Sequence, residues 1–527
     1  MLSCLHILLV SLLLNGLRWD LTADRRYTIS PVTDSLVEQL DAPMQVQVLL
    51  EGKQMNVGFQ RLNQATMDLL DELENRNGNC RVISGEIPTN LDLQPIVVHE
   101  RSRDGQMVQT PVYPYAVLKY KGRLRVVNLL QNTLGKSGEE NLNSSIESLE
   151  YRFAEAINGL LQTQTDRVAF LEGHGELTER EVYDWSKELS RYFQVDRGVL
   201  GTDVTVLDAY KAVIIAGPSE ALSDTDKFII DQYIMRGGRV MWLLDGVRFS
   251  ENMLQSNGLT PVIAEDWNTR DMLFRYGIRI NPVLVQDLQC KMVPVEVSGS
   301  RTEGQFQPMP WTFAPLLLTS EESPITKNIA QVSGVMMGEV EAVGGEDGID
   351  KQVLLATSDA SRKIGVPAEV DLTDLTVHPE YFQLQYIPVA VSLEGVFPSF
   401  FTHRLSPLGN STPTLTQSEK TKQVVVAGSQ IAVNEWQQNE PLPVGFDRYM
   451  KTQFGNRDFL TNSILWLTDE HGLMALRNKH VQLRLLNDRR SYQLRQTIQI
   501  ISLVAPIAIL ALTGGVVITV RRKKYQR

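Results

Sequence analysis

At 527 residues and 43% hydrophobic content, the chain is long enough for roughly two to four domains with real cores. A formal net charge of −11 argues against nucleic acid as its main partner. The three cysteines, Cys4, Cys80 and Cys290, form no CxxC pair and no metal cluster. Cys80 and Cys290 could pair outside the cytoplasm, although separate core thiols are the commoner fate of such residues.

Met1–Leu17 is apolar and short for a membrane span. It has neither a basic start nor a small-residue cleavage site after it, so it reads as an uncleaved transmembrane helix rather than a signal peptide. Ser30-Pro31 opens a short helix, with serine as N-cap and proline at the first helical position. Met44–Leu50 alternates as a strand, Phe59–Leu73 carries a helical apolar face, and Cys80–Ser84 is a second strand. A looser stretch follows to Tyr115. Ala116–Tyr120 and Leu124–Asn128 then flank Lys121-Gly122 as a hairpin. This order predicts a thioredoxin-like α/β domain over 25–135, with Pro114 where such folds often carry a cis proline. A generic small α/β domain has the same order, and the missing CxxC removes redox chemistry. Leu134-Gly135-Lys136-Ser137 imitates a phosphate loop, but the required earlier glycine is Leu130. Ser144 and Glu147 form a capping box that predicts a connecting helix over 142–162.

From Arg167 to Asp245, short apolar runs alternate with amphipathic segments, the pattern of parallel strands joined by crossover helices. Thr178 with Glu181 caps one of these helices and Ser223 caps the next. Beyond them, Thr269–Tyr276 reads as a helix, Ile278–Val285 as an edge strand, and Val293–Val340 as loops with short strands. Val353–Thr357, Ile387–Ser392 and Val424–Ala427 read as strands, and Leu405–Lys420 as a linker-like loop. An amidotransferase-like parallel-sheet domain is expected over 165–435, and a juxtamembrane helical segment over 436–496. Arg477–Arg490 either meets lipid headgroups or packs as a solvated strand. Thr497–Val520 contains no charge and is long enough to span a bilayer. The basic tail 521–527 places itself in the cytoplasm and the bulk of the chain outside.

The first strand of the large domain ends in Glu172-Gly173-His174-Gly175-Glu176. Ligands of such sheets sit at the carboxyl ends of the strands, and Gly217 and Asp245 are expected along the same edge. The loop is therefore a candidate binding edge. A plain strand-to-helix turn, with Glu176 near the N-terminus of the Thr178-capped helix, is the bland alternative. Acid–base chemistry by Glu172, His174 and Glu176 is the sharper one. No cysteine sits at a strand-to-helix elbow, Pro218 makes a poor elbow before Ser219, and Ser429 lacks the flanking pattern of GxSxG. No catalytic residue, metal site or cofactor is expected.

Several stretches resemble a known family. They are Asp20–Ser30, Asn141–Ala156, Phe170–Glu176, Leu273–Pro282, Leu393–Gly395 with Phe397–Arg404, and Pro443–Leu467 with Leu476–Asp488. In order and over most of the chain, they resemble the substrate-binding, or auxiliary, protein of the gliding-motility-associated ABC transporter (Gld family) of Bacteroidetes-type bacteria. The resemblance implies two membrane anchors around a periplasmic body. It also implies a domain similar to glutamine amidotransferases and intraflagellar-transport proteins without the catalytic cysteine, and partnership with a separate permease and a separate ATPase. The transported substrate stays unnamed. A membrane-tethered hydrolase using Glu172, His174 and Glu176, or a scaffold that binds only proteins, are the alternative functions.

Overall fold

The computed structural model describes residues 28–50, 56–84, 91, 93–101, 107–131, 133, 136–162, 164–296, 306–344, 348–372, 376–409, 413–478 and 495–525. The expected N-terminal span, Leu134-Gly135 and most of Arg477–Arg490 lie outside the described residues. The chain divides into two compact units, 1–479 and 480–527.

The first unit opens with α1 (Pro31–Glu38), where the Ser30 hydroxyl accepts from the Thr33 N–H at 3.1 Å. There follow β1 (Met44–Val48), α2 (Val57–Arg76) and β2 (Cys80–Ile83). A separate hairpin comprises β3 (Ile96–Arg101) and β4 (Met107–Val112), and a second comprises β5 (Tyr115–Tyr120) and β6 (Arg123–Asn128). The sheet order is β2-β1-β5-β6, parallel between β1 and β2 and antiparallel elsewhere. Met44, Val46, Ala116 and Leu118 fill one side of it with no exposed surface. The peptide before Pro114 is trans. The cis bond found among the described residues is Val366–Pro367.

The connecting helix, α3 (Gly138–Leu161), starts earlier than its sequence suggests. Two Ser-x-x-Glu boxes compete there, and Ser137 with Glu140 caps the helix. The Ser137 N–H donates to Glu140 Oε2 at 2.6 Å, and the Glu140 N–H to Ser137 Oγ at 3.2 Å. Ser144 sits inside the helix, its hydroxyl facing Asn328. Leu149, Phe153, Ile157 and Leu160 of α3 join the core of the small sheet.

The large domain contains β7 (Arg167–Glu172), α4 (Tyr183–Leu189), β8 (Gln194–Val199), β9 (Ala212–Ala216), α5 (Asp224–Met235), β10 (Val240–Leu243) and α6 (Arg270–Arg275). The later strands include β11 (Ile278–Asn281), β12 (Val283–Asp287), β13 (Cys290–Glu296), β14 (Phe306–Thr319), β15 (Ile349–Ala356), β16 (Pro388–Pro398) and β17 (Gln417–Val426), and α7 (Asn456–Thr468) comes last. The main sheet runs β13-β14-β15-β16-β17-β10-β9-β7-β8. It corrects the purely parallel expectation: β17, β10, β9, β7 and β8 are parallel, whereas β17 back to β13 are antiparallel neighbours. Helices cover both faces of the parallel block, which is why β9 reads as an unbroken apolar run. Trp185 of α4 meets Phe170 edge-to-face at 5.2 Å on one side, and Phe228 of α5 fills the other.

Four further expectations change. The stretch expected as the Ile278–Val285 edge strand is two strands, β11 and β12, each pairing outside the main sheet. The stretch expected as loops contains the 14-residue β14, whose prolines disguise it. The linker-like Leu405–Lys420 already includes the start of β17. The helix expected within 436–496 belongs to the body of the first unit: Phe459, Leu460, Ile464 and Leu467 of α7 are fully buried in the core under the main sheet. After α7, the 3-10 turn Leu473–Asn478 reaches the first core, where Leu473, Met474 and Leu476 pack with α3.

The second unit contains α8 (Arg495–Tyr525). Its stretch Ser502–Thr519 has a mean hydropathy of 2.1, and by length and composition it can cross a membrane.

Candidate functional site

The parallel register brings the ends of β7, β9, β10 and β17 to one edge. Glu172 closes β7, Gly217 follows β9, Asp245 lies two residues past β10, and Ser429 lies three past β17. All the candidate residues therefore belong to one edge, and each is held there by a neighbour.

The loop after β7 folds back over the end of β9. Leu177 donates its N–H to the Ala216 carbonyl at 2.8 Å, and the Ser219 and Glu220 N–H groups both donate to the His174 carbonyl at 2.9 Å. Gly173 packs beside Val199. Gly175 has φ +71°, and a Cβ there would lie 2.1 Å from Ser219 Oγ, so the fold-back requires glycine. Gly217 has φ +63°, and its Cβ would lie 2.7 Å from the Ser429 Cβ.

His174 sits between two carboxylates. Nδ1 is 3.1 Å from Glu176 Oε1 and Nε2 is 3.1 Å from Asp226 Oδ2. Only the doubly protonated ring donates on both sides. Glu176, then Asp226, raise its pKa above the ordinary histidine value, against the opposing effect of burial. Asp226 in turn closes the capping box of α5 with Ser223, whose hydroxyl donates to Asp226 Oδ2 at 2.5 Å. Glu176 bonds back within its own loop. Its Oε2 accepts the His174 N–H at 2.7 Å. The helix expected to be capped by Thr178 begins at Tyr183, with Val182 as its N-cap and no side-chain cap, while Thr178 and Glu181 close a turn ahead of it, the Thr178 N–H donating to Glu181 Oε2 at 2.7 Å.

Glu172 accepts from Arg197 Nε at 2.6 Å. Asp245 accepts from the Ser429 N–H at 2.8 Å and from the Ser429 hydroxyl at 2.5 Å, while burial pushes its carboxyl up from the ordinary range. Asp226, Arg197 and Ser429 were not identified from sequence as partners of this edge. The Ser223-x-x-Asp226 spacing was visible there, but not the tertiary reach of Asp226 to His174.

In this arrangement Glu176 and Asp226 hold the His174 ring from both sides. When both of its nitrogens donate, the ring has no lone pair with which to accept a proton or bind a metal. Ser429 gives its proton to a carboxylate, with no imidazole interposed.

Comparison with known proteins separates the two domains. A family model described as an ABC-type uncharacterized transport system matches residues 165–463, more than half the chain. A domain of unknown function, DUF7088, matches residues 23–119. No curated protein matches. Among solved structures, the mmIFT52 N-terminal domain shows 14% identity and a TM-score of 0.33, covering 57% of this chain and 97% of that one. A ThuA-like protein from Parabacteroides merdae shows 8% identity and a TM-score of 0.27, covering 58% and 90%. With a family model spanning the whole of the parallel block, its antiparallel extension and most of α7, the chain belongs to the ABC-type transport system auxiliary family.

Proposed function

We propose that the chain is a membrane-anchored, non-enzymatic auxiliary or substrate-binding subunit of an ABC transporter linked to gliding motility, working with a separate permease and a separate ATPase. Its body faces the periplasm and its basic tail the cytoplasm. The reading rests on the family match over 165–463. The apolar stretch of α8, followed by Arg521–Lys524, supports the anchor. The order β2-β1-β5-β6 supports a thioredoxin-like first domain, and the five parallel strands between two helical layers support an amidotransferase-like second one. Engagement of Glu172 by Arg197, and of His174 by Glu176 and Asp226, favours binding over hydrolysis at the strand ends. The test is purification of the tagged chain from its native membranes in mild detergent. A permease and an ATPase should accompany it, and recovery without either contradicts the proposal.

A further inference from the structure

A second place in the first unit has the features of a ligand site. A pocket of about 330 Å³, at the small end of the range for small-molecule sites, lies where β6, the end of α3 and the start of the large domain meet. Arg123, Arg125, Gln162, Gln164, Thr165 and Tyr192 supply its polar lining. Arg123 and Arg125 are two apart on β6 and so share one face of the sheet.

Both arginines are anchored without being neutralised. Arg123 Nη1 donates to the Gln162 carbonyl, at the C-cap of α3, and Arg125 Nη1 donates to the Arg191 carbonyl at 3.2 Å. Among the described residues, neither has a carboxylate within 4.0 Å. Each therefore keeps free N–H donors in a fixed position, the condition for bidentate oxyanion recognition. Arg125 also interacts electrostatically with Glu155, whose carboxyl burial pushes up to about 7. Gly159 of α3 leaves the space open, since a Cβ there would lie 3.3 Å from Arg125 Nε.

We infer that this pocket binds the phosphate group of a small polar molecule, with Arg123 and Arg125 holding the oxyanion. The site is separate from the strand-end loop and does not depend on the transporter reading.

The test is calorimetric titration of the detergent-solubilised full chain with inorganic phosphate, glycerol 3-phosphate and dihexanoyl phosphatidic acid, at constant ionic strength. Two variants accompany it. Arg125→Gln removes one guanidinium. Gly159→Leu fills the pocket while keeping the charge and favouring the helix. Saturable binding by the wild type, weakened at least tenfold in both variants, is expected. Tighter binding of the short-chain lipid than of glycerol 3-phosphate assigns the phosphate to a lipid headgroup, and the reverse assigns it to a soluble molecule. No binding of any of the three compounds, or equal binding in all three proteins, overturns the inference.

Discussion

His174 joins the strand-end loop to α5 through Glu176 and Asp226, and its replacement by alanine tests whether it does so as an imidazolium. Two hydrogen bonds to carboxylates are lost, each 3.1 Å long. Bonds to charged groups contribute about 1.5–3 kcal/mol each. The side chains of His174, Glu176 and Asp226 are only 11%, 2% and 15% exposed, so water screens them weakly. The lengths place both bonds at the lower end, for a total loss of about 3 kcal/mol. At about 2 °C per kcal/mol for a domain of this size, Tm falls by about 6 °C. The sign with pH follows from the raised pKa. The stabilisation is fully present below the unfolded histidine value, about 6.5, and is lost as pH rises through the folded value. Trp185, packed on Phe170 of the same strand, is among the fluorophores that follow unfolding of the large domain. Melting of wild type and His174→Ala by tryptophan fluorescence should show the full deficit at pH 6 and a smaller one at pH 9. An equal deficit at both pH values, or one that grows at pH 9, refutes the imidazolium bridge.

Gly217→Ala combines a left-handed backbone with a Cβ 2.7 Å from the Ser429 Cβ and should cost about 2–3 kcal/mol in denaturant melts. Ser429→Gly in the same chain should relieve the steric part, giving a favourable coupling of about 1 kcal/mol in the double-mutant cycle. Leu510→Arg, near the middle of Ser502–Thr519, adds about 2.5–3.5 kcal/mol to insertion and should reduce the carbonate-resistant membrane fraction. Burial pushes the Cys80 thiol up to about 12 and Cys290 up to about 11. Both should therefore alkylate slowly at pH 8 in the folded chain, and fully after denaturation without reductant, as mass adducts will report.

What could be read from the sequence was mostly local. β7, β9 and β10 appear as short apolar runs because helices bury them on both faces, and Ser223 announces α5 through a capping box that the structure contains. Where two local signals compete, as at Ser137 and Ser144, sequence alone gives no ranking, and tertiary contact with Asn328 accompanies the choice. β14 was hidden because Pro308, Pro310 and Pro315 imitate loop chemistry, yet it pairs with β13 as an outlying strand of the sheet. The helical face of α7 was visible, but nothing local says that it faces the main core rather than a bilayer. The partners of the candidate site were out of reach for the same reason: Asp226 lies 52 residues from His174, and Ser429 lies 184 from Asp245.

The position of β17 also sets a timetable for synthesis. β10 pairs on one side with β9, made shortly before it, and on the other with β17, where Val240 meets Gln423 about 180 residues later. At about 5–20 residues per second, the apolar edge of β10 waits roughly ten to forty seconds for its second neighbour. Throughout that interval it is an open template for wrong pairing, which makes the nascent chain a natural client for chaperones. β17 and α7 are made shortly before α8. The body thus becomes foldable only when the apolar helix α8 is also being made, and the two events share one window of time.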